Sequence, residues 1–326
     1  MGQVPGVSRS TALLTLRVGA IFVCIAFTQC GGNPPTGPTS PNPTGPGSIN
    51  NPGGPLPRNP IPPQIFAGAG DIALCNQGNA TGVARLLDTV GGTIFTLGDN
   101  AYMSGSAREY RDCYEPTWGR HKTYTRPAPG NHEYASDRNA TPYFEYFGRN
   151  AGDYGLGYYS FELGEAWHAI SLNSEILATS DSPQGAWLAQ DLAMNTKPCT
   201  VAYWHKPLFS SGPNGPHVHM RPFFRMLYEA GVELVLTGHD HLYERFYPQD
   251  PDGRPDSMRG IRQFIVGTGG VPTYEFLRTI APNSEARIRA HGILKLTLLA
   301  DSYQWEFLPV SGAVADRDSG GPVACH

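Results

Sequence analysis

Short apolar runs that end in polar side chains recur along this chain and alternate with segments of helical spacing. The runs QIFAGAGD and GTIFTLGDN each end in or just beyond Gly-Asp. The stretch at residues 80–90 between them carries apolar side chains at helical intervals, namely Val83, Leu86, Leu87 and Val90. Strand-like and helix-like stretches continue to alternate toward residue 310. This alternation predicts an α/β fold, in which polar residues gather where strands end.

Two histidines, His239 and His241, end the apolar run GVELVLTGHDH and are separated by one residue. In a strand this spacing puts both imidazoles on the same face, because alternate side chains share a face. The pair alone leaves two interpretations open. The histidines are either surface polar residues at a strand end or imidazoles that converge on a group that needs nitrogen ligands.

Carboxylate, amide and imidazole side chains also follow the other predicted strands, with a tyrosine close by. In chain order these candidates are Asp71, Asp99, Tyr102, Asn131, His132 and His205. Such groups together are ligands for borderline or hard cations such as iron, zinc or manganese. Each has a structural alternative, since Gly-Asp often begins a turn and a lone histidine is more often structural than ligating. Their joint occurrence at five strand ends predicts a metal site.

The series GD, GDNAY, GNHE, HKP and GHDHLYER resembles the motifs of the metallophosphoesterases with a calcineurin-like fold, and within them the purple acid phosphatases. The broader superfamily normally has a ligand histidine two residues after the first aspartate, where this chain has Ala73. Purple acid phosphatases also lack that histidine and supply a tyrosine three residues after the second aspartate, which is Tyr102 here. The resemblance implies a four-layer α/β/β/α sandwich over residues 65–326.

The resemblance also implies two metal ions in one site. One would be held by Asp71, Asp99, Tyr102 and His241, and the other by Asp99, Asn131, His205 and His239, with Asp99 bridging the pair. A phenolate favours Fe(III) in the first position, and neutral nitrogen and amide ligands favour divalent Zn, Fe or Mn in the second. Two such ions, about 3.5–4 Å apart, clamp phosphate oxygens and lower the pKa of a bound water.

Further residues are expected to contact the phosphate ester. The resemblance implies that His132 stabilises charge or protonates the leaving oxygen, with Glu133 orienting it; a surface role is the alternative for Glu133. His217 and His219 precede a predicted helix, where relatives place substrate-contacting histidines. We expect that role for His217 in preference to His219.

The first 30 residues are typical of an export signal. Arg9 and Arg17 precede the apolar run Val18–Phe27, whose length suits a signal peptide better than a membrane span. Cys30 then resembles a bacterial lipoprotein processing site, although the residues just before it depart from the usual motif. Two outcomes stay open: lipidation of Cys30 with attachment at the bacterial cell envelope, or plain secretion.

Residues 31–64 contain 12 prolines and 7 glycines, and Arg58 is their only charged residue. This composition cannot bury enough apolar surface to offset its chain entropy, so it predicts an extended, disordered tether. The tether occupies the place where plant-type purple acid phosphatases carry a β-sandwich domain. We therefore expect one catalytic domain at residues 65–326.

Four cysteines follow the leader: Cys75, Cys113, Cys199 and Cys325. In an exported protein they predict disulfides, for which three connectivities exist. We favour Cys75 with Cys113, each of which follows one of the motifs, and Cys199 with Cys325. Buried free thiols are the alternative.

The net charge of the 326 residues is −4, so the chain has no global attraction for nucleic acid, and none is expected as a partner. The leading expectation is a metal-dependent hydrolase of small phosphate esters, above all an acid phosphatase acting on phosphomonoesters. One alternative is hydrolysis of phosphodiesters or nucleotides at the same site. Another is a cell-surface binding protein that keeps the fold without catalysis. The sequence makes no prediction of oligomeric state.

Overall fold

The computed structural model describes residues 61–326. The predicted leader, and the predicted tether as far as residue 60, lie outside the described residues. Within residues 61–326, no helix combines the length and the apolar character that crossing a bilayer requires.

Strands dominate the described part of the chain. In order they are β1 (Gln64–Ala69), β2 (Ala73–Leu74), β3 (Thr93–Leu97), β4 (Ala101–Tyr102), β5 (Thr125–Ala128), β6 (Tyr159–Leu163), β7 (Trp167–Ser171), β8 (Cys199–Tyr203), β9 (Leu234–Thr237), β10 (Tyr243–Phe246), β11 (Arg262–Val266), β12 (Ser284–Ile288), β13 (Gly292–Leu298), β14 (Ser302–Pro309) and β15 (Asp318–Ala324). The α-helices are α1 (Ala80–Val90), α2 (Ala107–Glu109), α3 (Thr141–Phe147), α4 (Pro183–Met194) and α5 (Arg221–Glu229). A π-helical turn, Tyr110–Tyr114, continues α2.

The strands form two large sheets. The first has the order β15-β14-β13-β1-β3-β5, the second has the order β12-β10-β11-β9-β8-β7-β6, and β2 pairs with β4 on its own. In the first sheet β1, β3 and β5 run parallel, and in the second β7, β8, β9 and β11 do so. The carboxyl ends of parallel strands share one edge of a sheet, which is where α/β folds place their sites.

Aromatic side chains join the two sheets face to face. The ring of Phe66 in β1 lies 5.8 Å, centroid to centroid, from the ring of Tyr203 in β8. Helix α1 packs against β1 and β13 of the first sheet. Leu188 of α4 and Phe224 of α5 pack with Trp204, directly after β8, to cover the second sheet. The order of layers is therefore helix, sheet, sheet, helix, which confirms the predicted α/β/β/α sandwich.

Both favoured disulfides are present in the structure. Cys75 is bonded to Cys113, and Cys199 to Cys325. The first bond joins the segment after β2 to the π-helical turn, and the second joins the start of β8 to the C-terminal end of the chain. The predicted pairing is confirmed, and the free-thiol alternative is wrong.

His168 of β7 lies between two carboxylates. Its Nε2 is 2.8 Å from an oxygen of Asp191 in α4, and its Nδ1 is 3.2 Å from an oxygen of Glu162 in β6. Burial lowers the pKa of His168, but the hydrogen bonds and charges of Asp191 and Glu162 outweigh burial and raise it. Only the protonated ring can donate to both carboxylates at once.

Because the pKa of His168 is raised in the folded chain, this pairing stabilises the fold fully below the unfolded pKa, about pH 6.5, and loses its effect as the pH rises through the folded pKa. His168→Gln should lower the free energy of unfolding by on the order of 1 kcal/mol near pH 5.5, a modest loss because Glu162 is half exposed. The loss should be smaller near pH 9, because less of His168 is protonated there. Asp191→Asn should show the same trend. Thermal unfolding at both pH values measures this, and an equal loss at both would contradict the pairing.

Candidate metal centre

The side chains proposed as ligands gather at the carboxyl ends of strands from both large sheets and of the short strand β4. Asp71 follows β1, Asp99 follows β3, Tyr102 ends β4, Asn131 follows β5, His205 follows β8, and His239 and His241 follow β9. Strand β9 ends at Thr237, so both histidines lie in the turn beyond it. Strand alternation is therefore not what sets their directions, contrary to the expectation from their spacing.

Three of these residues have left-handed backbone conformations. The φ angles are 60° at Asp71, 51° at Asp99 and 69° at His239. For residues other than glycine this region is sparsely populated, and such residues cluster at functional sites where surrounding contacts hold them. One such contact is the hydrogen bond that the backbone N–H of His239 donates to Asp71 Oδ2 at 2.8 Å. Gly98 allows close approach, because a Cβ there would lie 2.6 Å from the His205 ring.

Tyr102 is the centre of a first group of side chains that could donate lone pairs to a metal, here called the first donor cluster: Asp71, Asp99, Tyr102 and His241. Its hydroxyl lies 2.8 Å from Asp71 Oδ1 and 2.9 Å from Asp99 Oδ2, and 3.3 Å from His241 Nε2. All four side chains are buried. His241 Nδ1 lies 3.0 Å from the carbonyl of Pro272. A proton on Nδ1 that is donated to this carbonyl leaves the lone pair of Nε2 facing the cluster.

His205 is the centre of the second donor cluster, which consists of Asp99, Asn131, His205 and His239. Its Nε2 lies 3.2 Å from Asp99 Oδ2, 3.1 Å from Asn131 Oδ1 and 3.0 Å from His239 Nδ1. Its Nδ1 lies 2.7 Å from the Leu97 carbonyl, and a proton donated to that carbonyl leaves the lone pair of Nε2 facing the cluster. Ligand atoms of Asp99, His205 and His239 all lie within 4.8 Å of one another, which suits a single ion.

The electrostatics of the two clusters fit cations. Burial raises the pKa of Asp99, but the charge and hydrogen bond of His205 outweigh burial and hold it well below its usual range. Conversely, burial lowers the pKa of His205, and the Asp99 carboxylate raises it to about 10. Burial and the charges of Asp71 and Asp99 raise the pKa of Tyr102 well above its usual range, so a phenolate there needs a cation beside it. Buried carboxylate, phenol, amide and imidazole donors form a set that suits iron, zinc or manganese.

His132 lies beside both clusters. Its ring packs on the Tyr102 ring at a centroid distance of 4.2 Å, and its Nε2 is 3.6 Å from Asp99 Oδ2. Its Nδ1 faces the carbonyl of Met103, and its backbone N–H donates to Asp99 Oδ1 at 2.8 Å. With 23% of its side chain exposed, His132 is accessible to a ligand that enters the site.

Glu133 has a different role from either of those expected. It is fully buried, and its carboxylate accepts hydrogen bonds from the backbone N–H groups of Asp99, Asn100 and Gly130 and from the hydroxyl of Tyr110. The expectation that Glu133 orients the His132 ring is therefore wrong, and so is the surface alternative. Four converging donors draw the carboxylate inward, where it fixes the turn after β3 to the turn after β5.

The two histidines before α5 lie close together, with ring centroids 5.6 Å apart, but their surroundings differ. The His217 ring lies 4.8 Å, centroid to centroid, from the His239 ring. Its Nε2 is buried and has no hydrogen-bond partner among residues 61–326. Burial and the charge of Lys206 lower the pKa of His217 to about 4. His219 is exposed, and its Nε2 lies 3.1 Å from the carbonyl of Ser174.

Sequence reasoning did not single out Tyr274 or Asp240. The Tyr274 ring stacks on the His241 ring at 3.9 Å and 13°, from an irregular segment after β11 that carries no motif. Asp240, between His239 and His241 in sequence, is fully buried. The motif GHDH contained a signal for Asp240, since a carboxylate between two proposed ligands needs hydrogen-bond partners of its own when it is buried.

Residues 66–243 match the sequence pattern of the calcineurin-like phosphoesterases. The chain is 28% identical over 145 residues to an acid phosphatase of Aspergillus ficuum, covering 42% of this chain and 24% of the relative. It is 28% identical over 245 residues to purple acid phosphatase 23 of Arabidopsis thaliana, covering 61% of this chain and 52% of the relative.

The fold is similar to that of purple acid phosphatase PPD1 from yellow lupin (Lupinus luteus) seeds. The TM-score is 0.65 at 17% identity, covering 79% of this chain and 54% of the lupin chain, and at this identity the likeness shows the fold alone. The chain spans between a quarter and about half of the length of the curated relatives described. Because the family pattern extends over more than half of the chain and curated relatives are purple acid phosphatases, the resemblance seen in the motifs is confirmed, and the chain belongs to the calcineurin-like phosphoesterase family.

Proposed function

We propose that this chain is a metal-dependent phosphoric ester hydrolase, an acid phosphatase that acts on phosphomonoesters at a dinuclear metal site. The observation that carries the proposal is the position of Asp99 Oδ2. This oxygen is 2.9 Å from the Tyr102 hydroxyl and 3.2 Å from His205 Nε2. One carboxylate oxygen that faces both donor clusters suits a ligand that bridges two ions.

In this proposal each cluster holds one ion. The first ion, Fe(III), would be held by Asp71, Asp99, Tyr102 and His241, and the second, a divalent Zn, Fe or Mn, would be held by Asp99, Asn131, His205 and His239. When bound, the pair supplies Lewis acidity that attracts phosphate oxygens and acidifies a water. The chain contributes rigidity, because the Leu97 and Pro272 carbonyls fix the rings of His205 and His241.

Two further histidines would serve the phosphate ester itself. The buried Nε2 of His217 has no hydrogen-bond partner in the described part of the chain, and it can donate a hydrogen bond to a phosphate oxygen beside His239. The partly exposed ring of His132 lies next to Asp99 and can stabilise charge or protonate the leaving oxygen. Kinetics of the single variants tests these two roles. Wild-type rates of ester hydrolysis for both His132→Ala and His217→Ala would contradict them.

A panel of p-nitrophenyl esters tests the proposed activity. The purified chain should contain two metal ions, hydrolyse p-nitrophenyl phosphate with a kcat of about 1–10³ per second, and act more slowly on the bis ester. Faster hydrolysis of the bis ester or of nucleotides would favour the diesterase or nucleotidase alternative. Two bound metals without hydrolysis of any ester would favour a binding protein of the same fold.

We also propose that the chain is exported. Its two disulfides support this, because such bonds persist in oxidising compartments. The predicted leader then leads to secretion or, through lipidated Cys30, to attachment at the bacterial cell envelope. Comparing the membrane and soluble fractions of the wild type and Cys30→Ser distinguishes the two. Retention in the cytoplasm with an uncleaved leader would contradict export.

A further inference from the structure

Residues 207–217, here called the histidine loop, connect the end of the HKP motif to the turn that precedes α5. Asp240 lies against the interior of this loop. Its side chain is fully buried, although both of its neighbours in sequence belong to the proposed ligand set. A buried carboxylate is costly unless hydrogen bonds satisfy its oxygens, so its partners indicate what it does.

Two groups of the histidine loop donate to the Asp240 carboxylate. Oδ2 accepts from the hydroxyl of Ser210, and Oδ1 accepts from the backbone N–H of Asn214 at 2.8 Å. The Ser210 hydroxyl oxygen in turn accepts from the backbone N–H of Gly212 at 2.8 Å. A Cβ at Gly212 would overlap the Asp240 carboxyl group, so the loop closes tightly around it. One carboxylate thus organises the backbone of the segment from Ser210 to Asn214.

The same loop carries His217 to the metal centre. The backbone N–H of His217 donates to the Pro207 carbonyl at 2.8 Å, which closes the loop. The Asn214 side-chain amide donates to the His239 carbonyl at 3.2 Å, which ties the loop to the second donor cluster. The position of His217 Nε2 beside the His239 ring therefore depends on how the loop folds.

We propose that Asp240 is a positioning residue that acts through His217. Its carboxylate holds the histidine loop in the conformation that presents His217 Nε2 to a bound phosphate group. This inference rests on the proposed function, since a phosphate ester is the ligand that His217 would contact. Aspartate suits the task because it offers two acceptor oxygens, whereas asparagine would turn an amide N–H toward one of the two donors.

Asp240→Asn tests the inference. We expect kcat/KM for p-nitrophenyl phosphate to fall about ten- to a hundredfold, as removal of a charged hydrogen-bond acceptor predicts. The affinity for inorganic phosphate, measured by calorimetry, should fall with it, while metal content stays at the wild-type value. In a His217→Ala background the same substitution should reduce neither quantity further, because the two residues act as a unit.

Two further variants make the outcome unambiguous. Asp301→Asn, in the exposed turn between β13 and β14, is a matched control and should keep wild-type values. Ser210→Ala removes one donor to Asp240 and should give a smaller change of the same kind, which covers the case in which Asp240→Asn does not fold. Loss of metal in Asp240→Asn or Ser210→Ala, unchanged phosphate affinity in Asp240→Asn, or a full additional loss in the His217→Ala background would overturn the inference. A wild-type chain that binds metal and phosphate but hydrolyses no ester would contradict the proposed function alone, and the phosphate titrations would still test Asp240.

Discussion

Asp99→Asn should abolish turnover and lower the metal content at both positions. Asp99 Oδ2 faces the Tyr102 hydroxyl at 2.9 Å and His205 Nε2 at 3.2 Å, so one substitution removes a negative charge that both clusters share. The Asp99 carboxylate also raises the pKa of His205 to about 10 against the effect of burial, so the substitution disturbs that ring as well. We expect more than about a 100-fold loss of metal affinity, beyond the range seen when a residue behind a ligand is changed.

Elemental analysis and kinetics of the purified variant measure these effects. The hydrogen bond from the His132 backbone N–H to Asp99 Oδ1 can persist with an asparagine oxygen, which favours an intact fold. Thermal unfolding checks that point, and Asp301→Asn controls for the loss of one carboxylate elsewhere. Two metals per chain and a near-normal rate in Asp99→Asn would rule out the bridging role.

Tyr102→Phe should remove the colour of the iron-containing protein. A phenolate bound to Fe(III) absorbs visible light by charge transfer from ligand to metal, so wild-type protein purified with iron should be violet to pink. Carboxylate, amide and imidazole ligands to Zn or Mn give no such band. Burial and the charges of Asp71 and Asp99 raise the pKa of Tyr102 well above its usual range, so this phenol ionises near neutral pH only beside a cation.

The variant should also retain iron less well, because Ala73 offers no replacement ligand. Partial activity is compatible with the proposal, since the other proposed ligands are unchanged. Tyr110→Phe is a matched control, because Tyr110 is equally buried but donates its hydroxyl to Glu133 outside the two clusters. A colourless wild type with a full complement of iron would show that Tyr102 is an ordinary packed tyrosine. Persistence of the band in Tyr102→Phe would show the same.

The sequence predicted the parts of the fold whose side chains carry a regular pattern. The helical spacing of residues 80–90 matches α1, Ala80–Val90. The apolar run before His239 matches β9, which is buried throughout. By contrast, β12 and β15 were not predicted, because the sequences SEARI and DSGGPVA contain few apolar residues. These strands form only because β10 and β14 supply antiparallel partners at the sheet edges.

In the candidate metal centre, too, some side-chain positions were predictable from the sequence and others were not. The strand-end side chains were predictable because parallel strands bring their carboxyl ends to one edge. The burial of the Glu133 side chain was not predictable, because it depends on backbone N–H groups of two separate turns that meet only in the folded chain. Asp240 and Tyr274 were missed for a similar reason, since Asn214, which donates to Asp240, and Tyr274 itself lie in irregular segments whose path no periodicity predicts.

The proposed bridging of two metal ions by Asp99 underlies the metal content, the colour and the turnover expected of this chain. Anomalous diffraction from crystals of the purified protein, recorded at the absorption edges of iron and zinc, tests it. We expect two anomalous peaks that share Asp99 as a ligand, with iron on the side of Tyr102 and His241 and a divalent ion on the side of His205 and His239. A single peak, or two peaks of which only one lies within bonding distance of Asp99, would contradict it.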